Sequence, residues 1–241
     1  MENLNNIKTF LKKYYDNELN YSIGCYKEES ISIEFLEGKY LIYSGERGIK
    51  HNLIEYSNFN YAIRDFLERI SYSDEEYKIL INAFNKEFNN NIILNFSNEN
   101  VFIDESKPSI FLAGPTRRNS NYMYSWRKEA IDILEKLNFK GIVYIPECFG
   151  DYQFDYNSQV LWERKGLENA SKIIFWIPRK FPDMLGQTTN IEFGMYLARN
   201  PEKIIYGRPI DSEKNKYLDW LYNYELSKIP YETLEDVLKE T

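Results

Sequence analysis

Residues 109–114, SIFLAG, are apolar almost throughout and end in a glycine, and the alternation that begins with them decides the fold. GIVYIP (141–146), KIIFWIP (172–178) and KIIYG (203–207) repeat the short apolar run. Between them lie SWRKEAIDILEKL (125–137), QVLWERKGLENA (159–170) and TTNIEFGMYLAR (188–199), each with helical spacing of its apolar residues. A last helix is expected over KNKYLDWLYNYEL (214–226). Strands without a polar face must be covered on both sides, and strict alternation with helices then means a parallel sheet. The expected fold class is α/β, a flavodoxin/Rossmann-like parallel sheet sandwich over residues 108–241. Ser125 is the candidate N-cap of the first helix, with Ala130, Ile133, Leu134 and Leu137 as its apolar face.

Upstream, the polar stretch SNENVFIDESKP marks a boundary near residues 98–108. Residues 1–100 are expected to form a smaller α+β domain of accessory role. Ile7, Phe10, Leu11 and Tyr14 recur at helical spacing, and ISIEF and KYLIYS alternate as two or three antiparallel strands would. Two helices are expected next, around YAIRDFLERI and from Ser73, where SDEE resembles a helix start, through ILINAFNKEF. Glu46, Arg47 and His51 are placed in a loop between strand and helix. There are no internal repeats, and no chemistry is legible in this half.

The 241 residues suffice for one large domain or two modest ones. Fifteen Phe, 21 Tyr and four Trp supply enough apolar surface for a packed core. Lys and Arg total 30 against 37 Asp and Glu, a net charge of -7. That argues against a broad basic surface for a nucleic-acid polymer or a membrane, while leaving room for a local site for one phosphate. No spanning segment or signal peptide is visible, and a cytoplasmic protein is the expectation. Cys25 and Cys148 are too few for a disulfide framework or a thiolate zinc site. His51 is the only histidine, so chemistry in the second half falls to carboxylates, hydroxyls, cations and backbone amides. No metal and no cofactor are called for.

Ligands in such sheets bind beyond the carboxyl ends of the strands. Here those ends carry GPTRRNS, PECFGDY, PRKFPDMLGQTTN and GRP, whereas the opposite turns are short. Gly114, Pro115, Thr116, Arg117 and Arg118 form a candidate anion cradle, with a plain turn bearing surface arginines as the other reading. Glu192 has two readings as well. Thr189-x-x-Glu192 fits a capping box. Alternatively, Glu192 is a carboxylate facing the ligand crevice, kept ionised by the amino end of its helix. Glu163 shares a helical face with Val160, Leu167 and Ala170, which puts a carboxylate beside the buried side. It either has a task or pairs with Arg127 or Arg164 at the rim. Trp162 is the candidate for stacking on a base, Trp176 is assigned to the core, and Asp183 is a candidate for a base edge or a solvated loop residue.

With these residues in hand, a resemblance emerges. IFLAGPTRR, SWRKEAIDILE, GIVYIPE, QVLWERKGLENASKIIFWIPR and TTNIEFG, in this order and spacing, resemble the nucleoside 2-deoxyribosyltransferase-like family over roughly residues 108–222. The resemblance implies cleavage of an N-glycosidic bond in two steps. Glu192 would attack the anomeric carbon of a 2'-deoxyribonucleoside, and a second base or water would then take the place of the first. Glu163 stands where the family has an acidic residue, usually aspartate, that contacts the base or relays its proton. It precedes a turn, Asn169-Ala170-Ser171, whose last residue is aspartate in the family. Asp183 is the nearest counterpart of a base-binding aspartate, and Thr189 and Asn190 join the candidate substrate-binding residues. The implied partners are a small nucleoside or nucleotide and a free nucleobase, and the family makes a homo-oligomer the expectation. Three alternatives stand beside transfer: hydrolysis of nucleoside 5'-monophosphates, cleavage of the nicotinamide bond of NAD, and a non-catalytic nucleotide sensor.

Overall fold

The computed structural model describes residues 2–15, 19–88, 92–117, 125–150 and 155–241. The chain divides into two units, 1–89 and 90–241. Among the described residues no helix is long and apolar enough to cross a membrane.

The first unit opens with helix α1 (Glu2–Tyr14), followed by β1 (Tyr21–Ile23), β2 (Ser30–Leu36), β3 (Lys39–Glu46) and β4 (Ile49–Tyr56). Helices α2 (Phe59–Ile70) and α3 (Asp74–Glu87) complete it. Ile7, Phe10 and Leu11 of α1 join Ile33, Ile42, Phe66, Leu67, Leu80 and Ile81 in one core. Tyr14, expected on the same face, is exposed instead. The sheet runs β1-β2-β3-β4, and the expected antiparallel pairs are joined by a parallel one, β1 with β2. The loop expected around Glu46, Arg47 and His51 is a hairpin. Arg47 and Gly48, both at positive φ, make the two-residue turn, and His51 lies in β4 opposite Ser44. As expected, Ser73 caps α3, its hydroxyl accepting from Glu76 N at 3.2 Å.

The second unit contains β5 (Ile93–Phe96), β6 (Ser109–Ala113), α4 (Trp126–Lys136), β7 (Ile142–Ile145), α5 (Tyr156–Asn169) and β8 (Lys172–Trp176). Then come α6 (Gln187–Arg199), β9 (Ile204–Gly207), α7 (Lys216–Leu226) and a short α8 (Leu234–Leu238). The sheet is wholly parallel, in the order β5-β7-β6-β8-β9. This is an α/β fold of the flavodoxin-like kind. Trp162, Leu167, Phe193, Tyr196, Leu197, Leu218 and Tyr222, from α5, α6 and α7, pack with Phe111, Tyr144, Phe175 and Tyr206 of the strands. The inward face of α4 is Arg127, Ala130, Ile131 and Leu134. Leu137, expected inside, is exposed.

The boundary expected near 98–108 falls at Asn89–Asn90, because Ile93–Phe96 is a strand of the parallel sheet. The polar residues that suggested a linker are consumed in hydrogen bonds. Ser97 N donates to Glu147 O at 3.0 Å, Asn98 exchanges hydrogen bonds with the Phe149 backbone, and Asn95 Nδ2 donates to Glu99 Oε2. Ser97, Asn98 and Glu99 are all buried, as their pairing requires.

Strand order reverses at β6, which has β7 on one side and β8 on the other. The chains leaving β6 and β8 therefore diverge, and a crevice opens between them.

Candidate active site

Gly114 follows β6 and lies against the backbone of Trp176 at the end of β8. A β-carbon at 114 would stand 2.1 Å from the Trp176 carbonyl oxygen, so the glycine serves the approach of one strand end to the other. Gly186 supplies the second contact. It is the N-cap of α6 at φ 63, and a β-carbon there would come within 3.1 Å of Pro115 Cβ. The amino end of α6 is thus pressed against the β6 loop.

A cleft of about 320 Å³ lies at this junction. Its walls come from Phe111 and Ala113 of β6, Gly114, Pro115 and Thr116 after it, Arg127 of α4, Pro146 after β7, Tyr156, Gln159, Val160 and Glu163 of α5, and residues 185–189 and Glu192 around the start of α6.

Arg127 is 1 % exposed and sits in the second position of α4. Its guanidinium reaches back to β6, with Nε donating to Leu112 O at 2.8 Å and Nη2 to Gly114 O at 2.7 Å. Nη1 donates to Thr116 Oγ1 at 3.1 Å and to Glu147 Oε1 at 2.5 Å. Glu147 Oε1 also accepts from the hydroxyls of Ser125, at 2.9 Å, and Thr116, at 3.2 Å. The N-cap role expected of Ser125 is confirmed by its acceptance from Arg127 N at 3.2 Å. A planar fork anchored on two carbonyls and a carboxylate has one orientation, so the cation is fixed.

Glu163 pairs with neither expected rim partner. Arg127 is taken by Glu147, and Arg164 bonds Glu168 at 3.1 Å. Glu163 instead accepts from Gln159 Nε2 at 2.9 Å, one turn earlier. Burial raises its proton affinity, while the Gln159 hydrogen bond and the Arg127 charge oppose the rise. The capping-box reading of Glu192 does not hold. The N-cap is Gly186, Thr189 is already the third helical residue, and Glu192 lies in the second turn. The expectation that the helix end keeps Glu192 ionised is also corrected. Burial first, and the neighbouring Glu163 second, push its pKa up to about 7, with Arg127 pulling it down. The cleft therefore holds two carboxyl groups whose proton affinities are both raised, chiefly by burial.

Of the expected binding residues, Gly114, Pro115, Thr116 and Thr189 line the cleft with Glu163 and Glu192. Trp162 does not. It is buried between Phe111 and Tyr144, at ring distances of 6.2 and 6.3 Å, so the core takes the ring assigned to base stacking. Asp183 is exposed in a turn closed by the Lys180–Met184 bridge, away from the lining. Asn190 is turned to Arg179, whose Nη2 donates to its Oδ1. Arg117 is exposed and outside the lining, and Arg118 lies outside the described residues. Tyr156, Gln159 and Arg127 went unassigned to the site in the sequence. For the first two a signal was present: they precede Glu163 by seven and four residues on one helical face. Arg127 was expected only as a rim partner for Glu163, since a hydropathy pattern does not mark an arginine as facing inward.

No curated protein matches the chain. Residues 107–209 match the family model described as nucleoside 2-deoxyribosyltransferase like. The match runs from β6 to just beyond β9 and takes in Arg127, Glu163 and Glu192. It supports a glycosyl-transfer or N-glycosidase kind of function acting on nucleosides or nucleobases. By sequence, the segment from residue 107 to residue 209 is nucleoside 2-deoxyribosyltransferase like.

Proposed function

We propose that the second unit cleaves the N-glycosidic bond of a 2'-deoxynucleoside and passes the deoxyribosyl group to another nucleobase. The observation that carries this reading is the pair Glu163 and Glu192, set on two helices around one cleft at the reversal of strand order. Ionised Glu192 attacks the anomeric carbon. The carbon–nitrogen bond breaks with its electron pair going to the base, which takes the proton that Glu192 passes to Glu163 on ionising. A glycosyl ester on Glu192 results. An acceptor base then attacks the same carbon, releases the Glu192 carboxylate and returns a proton to Glu163. Positive charge develops on the sugar in both steps, and the adjacent carboxylates stabilise it. Tyr156 at the rim offers a flat face for the base.

The first unit is assigned an accessory role, and the setting proposed is the cytoplasm, in keeping with Cys25 and Cys148 as free thiols. A homo-oligomer is the form proposed, on the family resemblance. Hydrolysis of nucleoside 5'-monophosphates is the second reading. One feature favours it: α6 begins at the cleft without a side-chain cap, so its first amides are donors for an anion.

The test is chromatographic. The full chain and Glu192→Gln are incubated with deoxynucleosides and their 5'-monophosphates, with and without a second base. A new nucleoside that needs the acceptor and is lost in the variant supports transfer. Free base from monophosphates alone supports the hydrolase. Binding without turnover supports a sensor and overturns both.

A further inference from the structure

Arg127 and Glu147 form a buried ion pair, 1 % and 8 % exposed, and only the arginine lines the cleft that holds Glu163 and Glu192. Arg127 is held by Leu112 O, Gly114 O, Thr116 Oγ1 and Glu147 Oε1, and its guanidinium lies 4.6 Å from the Trp126 ring centroid. Among the described residues the Glu147 carboxylate is bound through Oε1 only. Its Oε2 is buried and has no hydrogen-bond partner among the described residues. A carboxylate so placed does more than tie strand ends together, since one neutral acceptor would satisfy the same three donors. The Arg127 charge acts on both cleft carboxyls, and Glu147 is the carboxylate paired with it on the side that does not line the cleft.

We propose that Arg127 is a positioning residue for the glutamate pair, a clamped cation that keeps one negative charge on Glu163 and Glu192, and that Glu147 behind it sets the strength of that hold. The inference rests on the proposed glycosyl chemistry for its meaning in catalysis, though not for its measurement. In that chemistry one carboxyl must be ionised to attack while the other carries a proton for the leaving base. Burial raises the proton affinity of both carboxyls, and the Arg127 charge lowers it. An arginine partly neutralised from behind gives the intermediate state. Among the described residues, the titratable and charged groups facing Glu192 are Glu163 and Tyr156 on α5, Arg127 on α4 and Tyr196 on its own helix. Arg127 is the one cation among them.

The experiment is a titration of the glutamate side-chain carboxyls by carbon-13 NMR on the full chain. Glu192 and Glu163 are assigned from Glu192→Gln and Glu163→Gln. Glu147→Gln, which keeps an acceptor oxygen for Arg127, is expected to lower the titration midpoints of the pair by about one pH unit. Arg127→Gln is expected to raise them by a similar amount, and Arg127→Lys to restore part of the difference. Thr116→Val removes a clamp contact without changing charge and is expected to leave the midpoints in place. Midpoints that do not fall in Glu147→Gln overturn the proposal, even if Arg127→Gln does not fold. So does a shift in Thr116→Val as large as that in Glu147→Gln, which would mark a merely structural effect. Opposite shifts in a chain that turns over no nucleoside or nucleotide would sustain the proposal and contradict the glycosyl-transfer reading.

Discussion

Gly114 approaches Trp176 so closely that a β-carbon on residue 114 would meet the Trp176 carbonyl oxygen at 2.1 Å and Trp126 Cζ2 at 2.9 Å. The nearer obstacle is backbone of a central strand and cannot rotate away. Gly114→Ala is therefore expected to force β6 and β8 apart and to cost at least the 1–3 kcal/mol typical of overpacking, at about 2–4 °C per kcal/mol in a domain of this size. Thermal unfolding of the variant measures this. An unchanged melting temperature would mean that the close approach does not hold the site together.

The elevated pKa of Glu192 has a consequence for stability that is independent of catalysis. In the unfolded chain a glutamate loses its proton near pH 4.3, and in the folded chain Glu192 keeps it up to about pH 7, chiefly because it is buried. Between these values the folded state binds more protons, so this group's contribution is full below about pH 4.3 and is lost as pH rises through 7. Glu192→Gln removes the loss. Its melting temperature is expected to exceed the parent's at pH 8, with the difference narrowing at pH 5. Calorimetry at the two pH values decides it, and a variant less stable than the parent at pH 8 would contradict the half-buried, poorly compensated carboxylate.

The same group sets the pH dependence of the proposed reaction. The attacking carboxylate must be ionised, so kcat/KM is expected to fall on the acid side of about pH 7, the value for free Glu192. A pH profile with its acid limb near 4 would mean that Glu192 titrates as an ordinary glutamate in solution.

Strand β5 makes truncation informative. A chain beginning at residue 90 keeps the β5–β7 ladder and the Ser97 and Asn98 contacts to residues 147–149. A chain beginning at residue 108 loses both and exposes an apolar edge of β7 beside the Glu147 loop. The longer fragment is expected to unfold cooperatively and the shorter to aggregate or melt lower, as circular dichroism would show. Equal stability of the two would mean that β5 is dispensable to the sheet.

Trp162 separates packing from recognition. Buried with Phe111 and Tyr144, it is expected to cost about 3–5 kcal/mol when replaced by alanine. Trp162→Phe is expected to retain substrate affinity at reduced stability. If Trp162→Phe instead weakens nucleoside binding without lowering the melting temperature, the ring belongs to the site after all.

Periodicity accounts for the part of the fold that was legible in the sequence. The strands β6 to β9 and the helices between them announce themselves because each buries a continuous apolar stripe, and the loops at their carboxyl ends are the longer ones. β5 is apolar except for Asn95, and it is followed by residues whose polarity suggested a linker. Only tertiary pairing reveals that Asn95, Ser97, Asn98 and Glu99 are buried and satisfied. The turns at Glu37–Gly38 and Arg47–Gly48 adopt paired positive φ values without the Asn-Gly or Asp-Gly sequence that usually signals them. At the site, Glu163 and Glu192 were legible as carboxylates near a crevice. The sign of their electrostatics was not, because it depends on burial and on Arg127. A tryptophan beside Glu163 looked available to a base, and neighbouring strand aromatics claimed it for the core.

The central claim is that Glu192 becomes covalently bonded to the sugar. Mass spectrometry of a proteolytic digest, after incubation with a nucleoside carrying fluorine at C2' to slow breakdown of the ester, tests it most directly. One glycosyl adduct is expected on the peptide containing Glu192, absent from Glu192→Gln and discharged by added acceptor base. Base release with no adduct on Glu192, or an adduct on Glu163 instead, would contradict it.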